Sequence, residues 1–263
     1  MSRDDMMVVA GARRVPDGAT CFVGIGHPIV AANLARQTHA PTAVLIFESG
    51  VIGAKPTRPP LSIADSELAV TADLIVSMPE IFSLWLQNGK IDIGFLGAGQ
   101  VDRLGNLNST VIGPYEHPAV RLPGGGGAPE IAANAGRTYV LIRQTPRAFV
   151  DVLDFRTTVG GGDGPGSREQ LGLRGRGVAA VITDLGVLEP DARTGELTVV
   201  ARHPGVTDEE LRAATGWDLA FAGDVAVTSP PSLAELAALE AMRLAGEDYV
   251  ASTARHRMAR PSG

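Results

Sequence analysis

Short uninterrupted apolar runs alternate along this chain with stretches in which apolar residues return every three or four positions. The runs Thr20 to Val23, Ala43 to Phe47, Ile91 to Leu96, Thr138 to Ile142 and Val178 to Thr183 are apolar nearly throughout, the pattern of strands covered on both faces in a parallel sheet. Helical spacing predicts helices from Asp4 to Arg14 and from Pro28 to Thr38. It predicts others at Pro79 to Gln87, Pro129 to Ala135, Asp208 to Ala214 and Leu233 to Ala245. Pro16-Asp17-Gly18 ends the first helix, and Pro28 suits the first turn of the second. The resulting order implies an α/β fold, an open, largely parallel sheet flanked by helices. It reads as a single domain over residues 1–251. A solvated tail is expected from Ser252 to Gly263, where Arg255, His256, Arg257 and Arg260 stand among almost no large apolar residues.

Composition narrows the function. With 263 residues, 44% hydrophobic and only 20% charged, the chain can bury a full core. A formal charge of −6, with three Tyr and two Trp, argues against nucleic acid, which asks for a basic face and stacking aromatics. Cys21 is the single cysteine and sits inside an apolar run, so it reads as strand packing in a protein of the reducing cytoplasm. Asp4 and Asp5 stand where a secretory signal would be basic, and no apolar run approaches the ~18 residues of a membrane helix. His27, His39, His117, His203 and His256 show no ligand spacing, so no metal site is expected.

Candidate chemistry begins at Glu48, which leaves the run Ala43 to Phe47 and is followed by Ser49-Gly50. In open α/β sheets ligands sit beyond the carboxyl ends of the strands, and a carboxylate emerging from an apolar strand is partly desolvated and more nucleophilic. The competing reading makes Glu48 a helix cap or the partner of Lys55 or Arg58. Gly24-Ile25-Gly26-His27-Pro28-Ile29 begins like a dinucleotide fingerprint, but Ile29 replaces the third glycine and Pro28 removes a donor. Asn106 and Asn108 lie in a polar stretch, one suited to a turn and the other to a substrate oxygen. Of two glycine clusters, Gly124 to Gly127 precedes Ala128 and a predicted helix, where free N–H groups can face an anion or a developing oxyanion. The other runs from Gly160 through Gly162 to Gly166.

These segments together carry a resemblance. Gly24 to Pro28, Phe47-Glu48-Ser49-Gly50, Gly97 to Asp102 with Gly105 to Thr110, His117-Pro118 and Gly124 to Ala128 resemble the B subunit of family I CoA-transferases, most of all the glutaconate type. Asp163 to Glu169 and Thr183 to Val187 extend the likeness over nearly all of residues 10–221. The sequence has Glu-Ser-Gly, without the asparagine of the S-E-N-G branch.

The resemblance implies a CoA-transferase in which Glu48 is the nucleophile and coenzyme A is a substrate, with no tightly bound cofactor. It implies that Asn108 and the Gly126-Gly127 backbone stabilise the oxyanion, with Asn106 as the other amide and Ala128 and Gly26 in the substrate site. It also implies an A subunit as partner, in a heterodimer or heterotetramer. The acid is expected to be a dicarboxylate or a 3-oxoacid. The alternatives are a hydrolase or ring-opening enzyme acting on a CoA ester, and a non-catalytic sugar-phosphate sensor on the same fold.

Overall fold

Helix α1 (Arg3–Ala12) opens the computed structural model, which describes residues 2–258. Ser2 caps it. The Ser2 hydroxyl accepts from Asp5 N at 3.1 Å and the Asp5 carboxylate accepts from Ser2 N at 2.6 Å, a reciprocal cap. Strand β1 (Thr20–Val23), helix α2 (His27–Gln37) and strand β2 (Val44–Ile46) follow where the pattern predicts them. Two short strands come next, β3 (Val51–Ile52) and β4 (Leu74–Ile75), separated by an irregular loop and helix α3 (Ser66–Val70).

The predicted helix from Pro79 to Gln87 is a short α-turn, α4 (Met78–Glu80), that widens into a π-helix over Ile81–Leu86, where Gln87 N reaches back to Phe82 O at 2.9 Å. Beyond strand β5 (Ile93–Leu96) lie two small hairpins. They are β6 (Gln100–Val101) with β7 (Leu107–Asn108), and β8 (Val111–Ile112) with β9 (Val120–Arg121). Helix α5 (Ala128–Asn134), strand β10 (Arg137–Leu141), helix α6 (Ser167–Gln170) and strand β11 (Val178–Ile182) continue the chain. The last part holds β12 (Gly186–Pro190), β13 (Leu197–Arg202), α7 (Asp208–Ala213), β14 (Ala220–Val227) and α8 (Leu233–Met258).

One ten-stranded sheet organises the molecule, in the order β14-β13-β12-β11-β10-β5-β1-β2-β3-β4. Its centre, from β11 to β2, is wholly parallel, as expected. The flanks are mixed: β3 and β4 are antiparallel additions on one side, and β12 and β13 on the other. Alternate residues of the central strands feed two cores. Cys21, Leu45, Phe95 and Tyr139 pack with α1, α2 and Met242 of α8 on one face. Phe22, Ile46, Leu96 and Val140 pack with α5 and the π-helix on the other. Double coverage is why these strands read as continuous apolar runs. Helix α8 extends past Ala245 to Met258, so the expected tail is helical over its first part; residues 259–263 lie outside the described residues.

Candidate active site

Because β1, β2 and β5 run parallel, their carboxyl ends deliver Gly24, Phe47-Glu48 and Gly97 to one edge of the sheet. The chain reverses there. Phe47 N donates to Val51 O at 2.9 Å and Gly50 N to Phe47 O at 3.0 Å, which closes a tight turn around Glu48 and Ser49. Gly50 is required twice over, by its φ of +94° and because the Val76 carbonyl lies where a Cβ would go. Phe47 is fully buried, so the backbone that carries Glu48 is anchored while its side chain is half-buried.

The first glycine cluster meets this carboxylate. Gly127 N donates to Glu48 Oε1 at 2.5 Å, and no hydrogen bond to Oε2 is present among the described residues. A Cβ on Gly127 would overlap Glu48 Oε1 and stand 2.6 Å from Cζ of Phe82, so a glycine lets the amide approach. Gly124 N donates to Ser109 O at 2.7 Å, fixing the start of the loop. Lys55 pairs with Asp73, and Arg58 with Asp65 and Glu67; among the described residues Glu48 has no ion pair.

A cavity of ≈ 470 Å³ opens at this point. Phe22, Ile25, Ile63, Leu96 and Ile131 supply its apolar walls, while Glu48, Ser109 and the backbone of Gly24, Gly97 and the glycine loop supply polar groups. Among the described residues, Glu48 is the one charged side chain that lines it.

Of the residues singled out in the sequence, Gly127 touches Glu48, Gly126 lies beside its carboxylate, and Ala128 lines the cavity. Three others are placed differently. Gly26, at φ +93°, starts helix α2 and does not line the cavity. Asn108 is fully buried, with both amide protons committed: Nδ2 donates to Gln100 Oε1 at 2.7 Å and to Val111 O at 2.6 Å. Its Oδ1 accepts from Thr110 N and Val111 N, so the side chain ties β7 to β8 and does not line the cavity. Asn106 does the same for the second glycine cluster, donating to Asp102 and Gly162 O and accepting from Gly160 N and Gly162 N. Burial raises the neighbouring Asp102 carboxyl above its ordinary pKa, against the Asn106 hydrogen bonds that lower it. That cluster is therefore structural.

Sequence reasoning passed over Ser109, Ile63 and Phe82. Ser109 lines the cavity and its buried Oγ has no hydrogen-bond partner among the described residues; its place beside Asn108 was the available signal. Ile63 comes from the irregular loop and carries no local signature. Among the described residues no cluster of three or more His, Cys, Asp or Glu is arranged to hold a metal, and no helix is long and apolar enough to cross a membrane.

The Coenzyme A transferase family model matches residues 5–214. The B subunit of the 3-oxoadipate CoA-transferase of Pseudomonas knackmussii is 57% identical over 241 residues, 92% of this chain and 93% of that protein. The B subunit of the glutaconate CoA-transferase of Acidaminococcus fermentans is 34% identical, covering 86% of each chain. The crystal structure of that organism's glutaconate coenzyme A-transferase superposes with a TM-score of 0.84 at 32% identity, covering 90% of this chain and 92% of that one. The chain belongs to the coenzyme A transferase family. The likeness to the glutaconate type, at 34% identity, is lower than the 57% to the 3-oxoadipate protein.

Proposed function

We propose that this member of the coenzyme A transferase family is the B subunit of an enzyme that moves CoA from an acyl-CoA onto 3-oxoadipate or a closely similar acid, with Glu48 as nucleophile. One observation carries the reading. A carboxylate stands at the carboxyl edge of a parallel sheet, with one oxygen held by a backbone N–H and the other open to a cavity of ligand size. The 57% identity to the B subunit of a 3-oxoadipate CoA-transferase supports the substrate. It also favours transfer over the hydrolase and sensor alternatives.

In the first step a Glu48 carboxylate oxygen attacks the thioester carbon of the donor. The C–S bond breaks, CoA leaves as thiolate, and an acyl-glutamyl anhydride remains. The thiolate then attacks the Glu48 carbonyl carbon, expelling the donor acid as its carboxylate and leaving a glutamyl-CoA thioester. The acceptor carboxylate reverses the sequence: it displaces the thiolate from Glu48, and the thiolate attacks the acceptor carbonyl and frees Glu48. In the two steps at the Glu48 carbonyl, negative charge develops on its own oxygen. The Gly127 N–H already points at Oε1, so the donor is in place before the charge appears. The Gly126 backbone lies beside the same carboxylate and serves as the second element of this loop.

An anhydride needs protection from water, and this cavity on one chain lacks a cation for the second carboxylate of a dicarboxylic acid. Both demands assign the remaining walls to an A subunit, in a heterodimer or heterotetramer. Exposed Leu74 and Ile75 on the edge strand β4, with Met78 beside it, are an apolar edge suited to such a partner. We place the pair in the cytoplasm, where the reduced, buried Cys21 fits.

The test is co-expression with an A-subunit chain and CoA exchange between acyl-CoA and 3-oxoadipate. Glu48→Gln should lose at least about 10³-fold in kcat while the pair still assembles. After loading with acyl-CoA alone, borohydride should reduce a thioester at Glu48. Full exchange by the Glu48→Gln pair, or an unlabelled Glu48 peptide in a turning-over enzyme, would refute the nucleophile.

A further inference from the structure

The loop between β3 and α3 has no regular structure, yet its base is closed by one of the most buried charges in the protein. Arg58 is 4% exposed. Its Nη1 and Nη2 hold Asp65 Oδ2 and Oδ1 at 2.8 and 2.9 Å, its Nε holds Glu67 at 2.8 Å, and its Cζ lies 3.4 Å from the ring centre of Tyr249 on α8. Asp65 also accepts from Leu61 N at 2.9 Å and caps α3 by accepting from Glu67 N at 3.1 Å. Thr57 donates to Glu67 with both its N–H and its hydroxyl. On the inner side, Asn33 of α2 donates to Pro56 O at 2.7 Å. Apart from the Leu61 N–H on Asp65, these anchors sit at the foot of the loop.

What the closure presents is Ile63. Leu61, Ser62 and Ala64 are exposed, whereas Ile63 is half-buried and is the residue of this loop that lines the Glu48 cavity. Burying an arginine with two carboxylates contributes little net stability compared with apolar packing of the same volume, but it fixes geometry through its fork of donors. We propose that Arg58 is a positioning residue that, through Asp65, sets Ile63 as the wall limiting the length of the acyl group at Glu48, and that Ile63 is the specificity-determining contact of this loop. The inference rests on the CoA-transferase reading given above.

The experiment uses the co-expressed A and B subunits and measures kcat/KM for straight-chain dicarboxylic and 3-oxo acids of increasing length. One methylene in an apolar pocket is worth roughly 10-fold or more in discrimination, so Ile63→Ala should raise the long-to-short ratio by about 10-fold and Ile63→Trp should lower it. Arg58→Lys keeps the charge but loses the fork, and Asp65→Asn loses the anchor. Each should shift the ratio in the same direction as Ile63→Ala, and neither should add to it when combined with that substitution, because all act through one wall. An Ile63→Ala pair with an unchanged ratio overturns the proposal. So do Arg58→Lys and Asp65→Asn pairs that melt earlier but keep the wild-type ratio. A wild-type pair that transfers no CoA to any acid refutes the functional reading itself, whereas an active wild type with an immovable ratio refutes only the role of this loop.

Discussion

Replacing Gly127 by alanine isolates the contribution of a single amide. The backbone there has φ −81° and ψ −2°, which alanine adopts freely, so the substitution introduces no strain of its own. Its whole effect comes from the new methyl, which would overlap Glu48 Oε1 and crowd Phe82. Phe82 is packed against Phe22 with ring centres 5.6 Å apart, so the carboxylate is the more mobile of the two and must move. Losing a hydrogen bond to an ionised group costs about 1.5–3 kcal/mol. Loss of an oxyanion donor lowers kcat by roughly 10²–10³-fold. We therefore expect kcat for CoA exchange in the A–B pair to fall by about 10²-fold or more, with KM for the acid changed by less than about fivefold. Overpacking limits the stability loss to about 1–3 kcal/mol, which thermal unfolding reads separately. A Gly127→Ala pair that retains kcat within threefold of wild type would show that the 2.5 Å contact plays no part in turnover.

Three further outcomes are expected. Arg58 holds the Asp65 carboxyl, and Arg13 the Glu235 carboxyl, down to about 2. Both folded-state values lie below the unfolded ones, so this stabilisation is full above about pH 5 and is lost as pH falls from there toward 2. Roughly 1 kcal/mol for the Asp65 pair and about 2 kcal/mol for the Glu235 pair should be lost in denaturant melts between pH 7 and pH 3, and Asp65→Asn should remove the first share of that acid limb. Burial pushes the Cys21 thiol up to about 12, so a thiol reagent should leave the native protein unmodified and react once denaturant unfolds it; rapid native labelling would contradict the buried placement. Ser109→Ala, which removes a hydroxyl facing no protein acceptor, should leave the melting temperature within about 2 °C and raise KM for the acid by a few-fold; a large stability loss with unchanged KM would place the hydroxyl in the scaffold instead.

How much of this was legible follows from what each segment must satisfy. The central strands announce themselves because both faces are covered, and Glu48 is conspicuous because a charge ends such a run. Strands β3 and β4 are two residues each, β3 formed where the Glu48 turn folds the chain back on β2 and β4 by pairing with β3 after α3, so no window of sequence contains them. Strand β14 is largely exposed, with only Phe221, Ala222 and Val225 partly buried, so its apolar residues lack the double coverage that marks the central strands. The π-helix kept an apolar periodicity that read as an ordinary helix. Within the site, Gly124 to Gly127 was readable as a run of glycines before a helix, although the second cluster, which leads into α6 in the same way, is tied to Asn106 instead. Ile63 was not, since its position depends on an arginine five residues earlier finding partners at 65, 67 and 249.

Asn108 is where motif and geometry part, and the two make opposite predictions. As an oxyanion donor it would need a free N–H at the cavity, and Asn108→Ala would cut kcat by roughly 10²–10³-fold while leaving the fold alone. The structure instead uses all of its hydrogen-bonding groups inside the protein, on Gln100, Val111 and Thr110. Alanine at this position strands several buried donors and acceptors at about 1–3 kcal/mol each. For a chain of this size that is a fall in melting temperature on the order of 5 °C or more. Because Ser109 follows directly and its carbonyl holds Gly124, some loss of turnover is expected through loosening of the glycine loop, within about tenfold per folded molecule. Measuring kcat and thermal stability on the same A–B preparation separates the cases: a melting temperature kept within a degree beside a hundredfold drop in kcat would return Asn108 to the oxyanion, against every contact its side chain makes here.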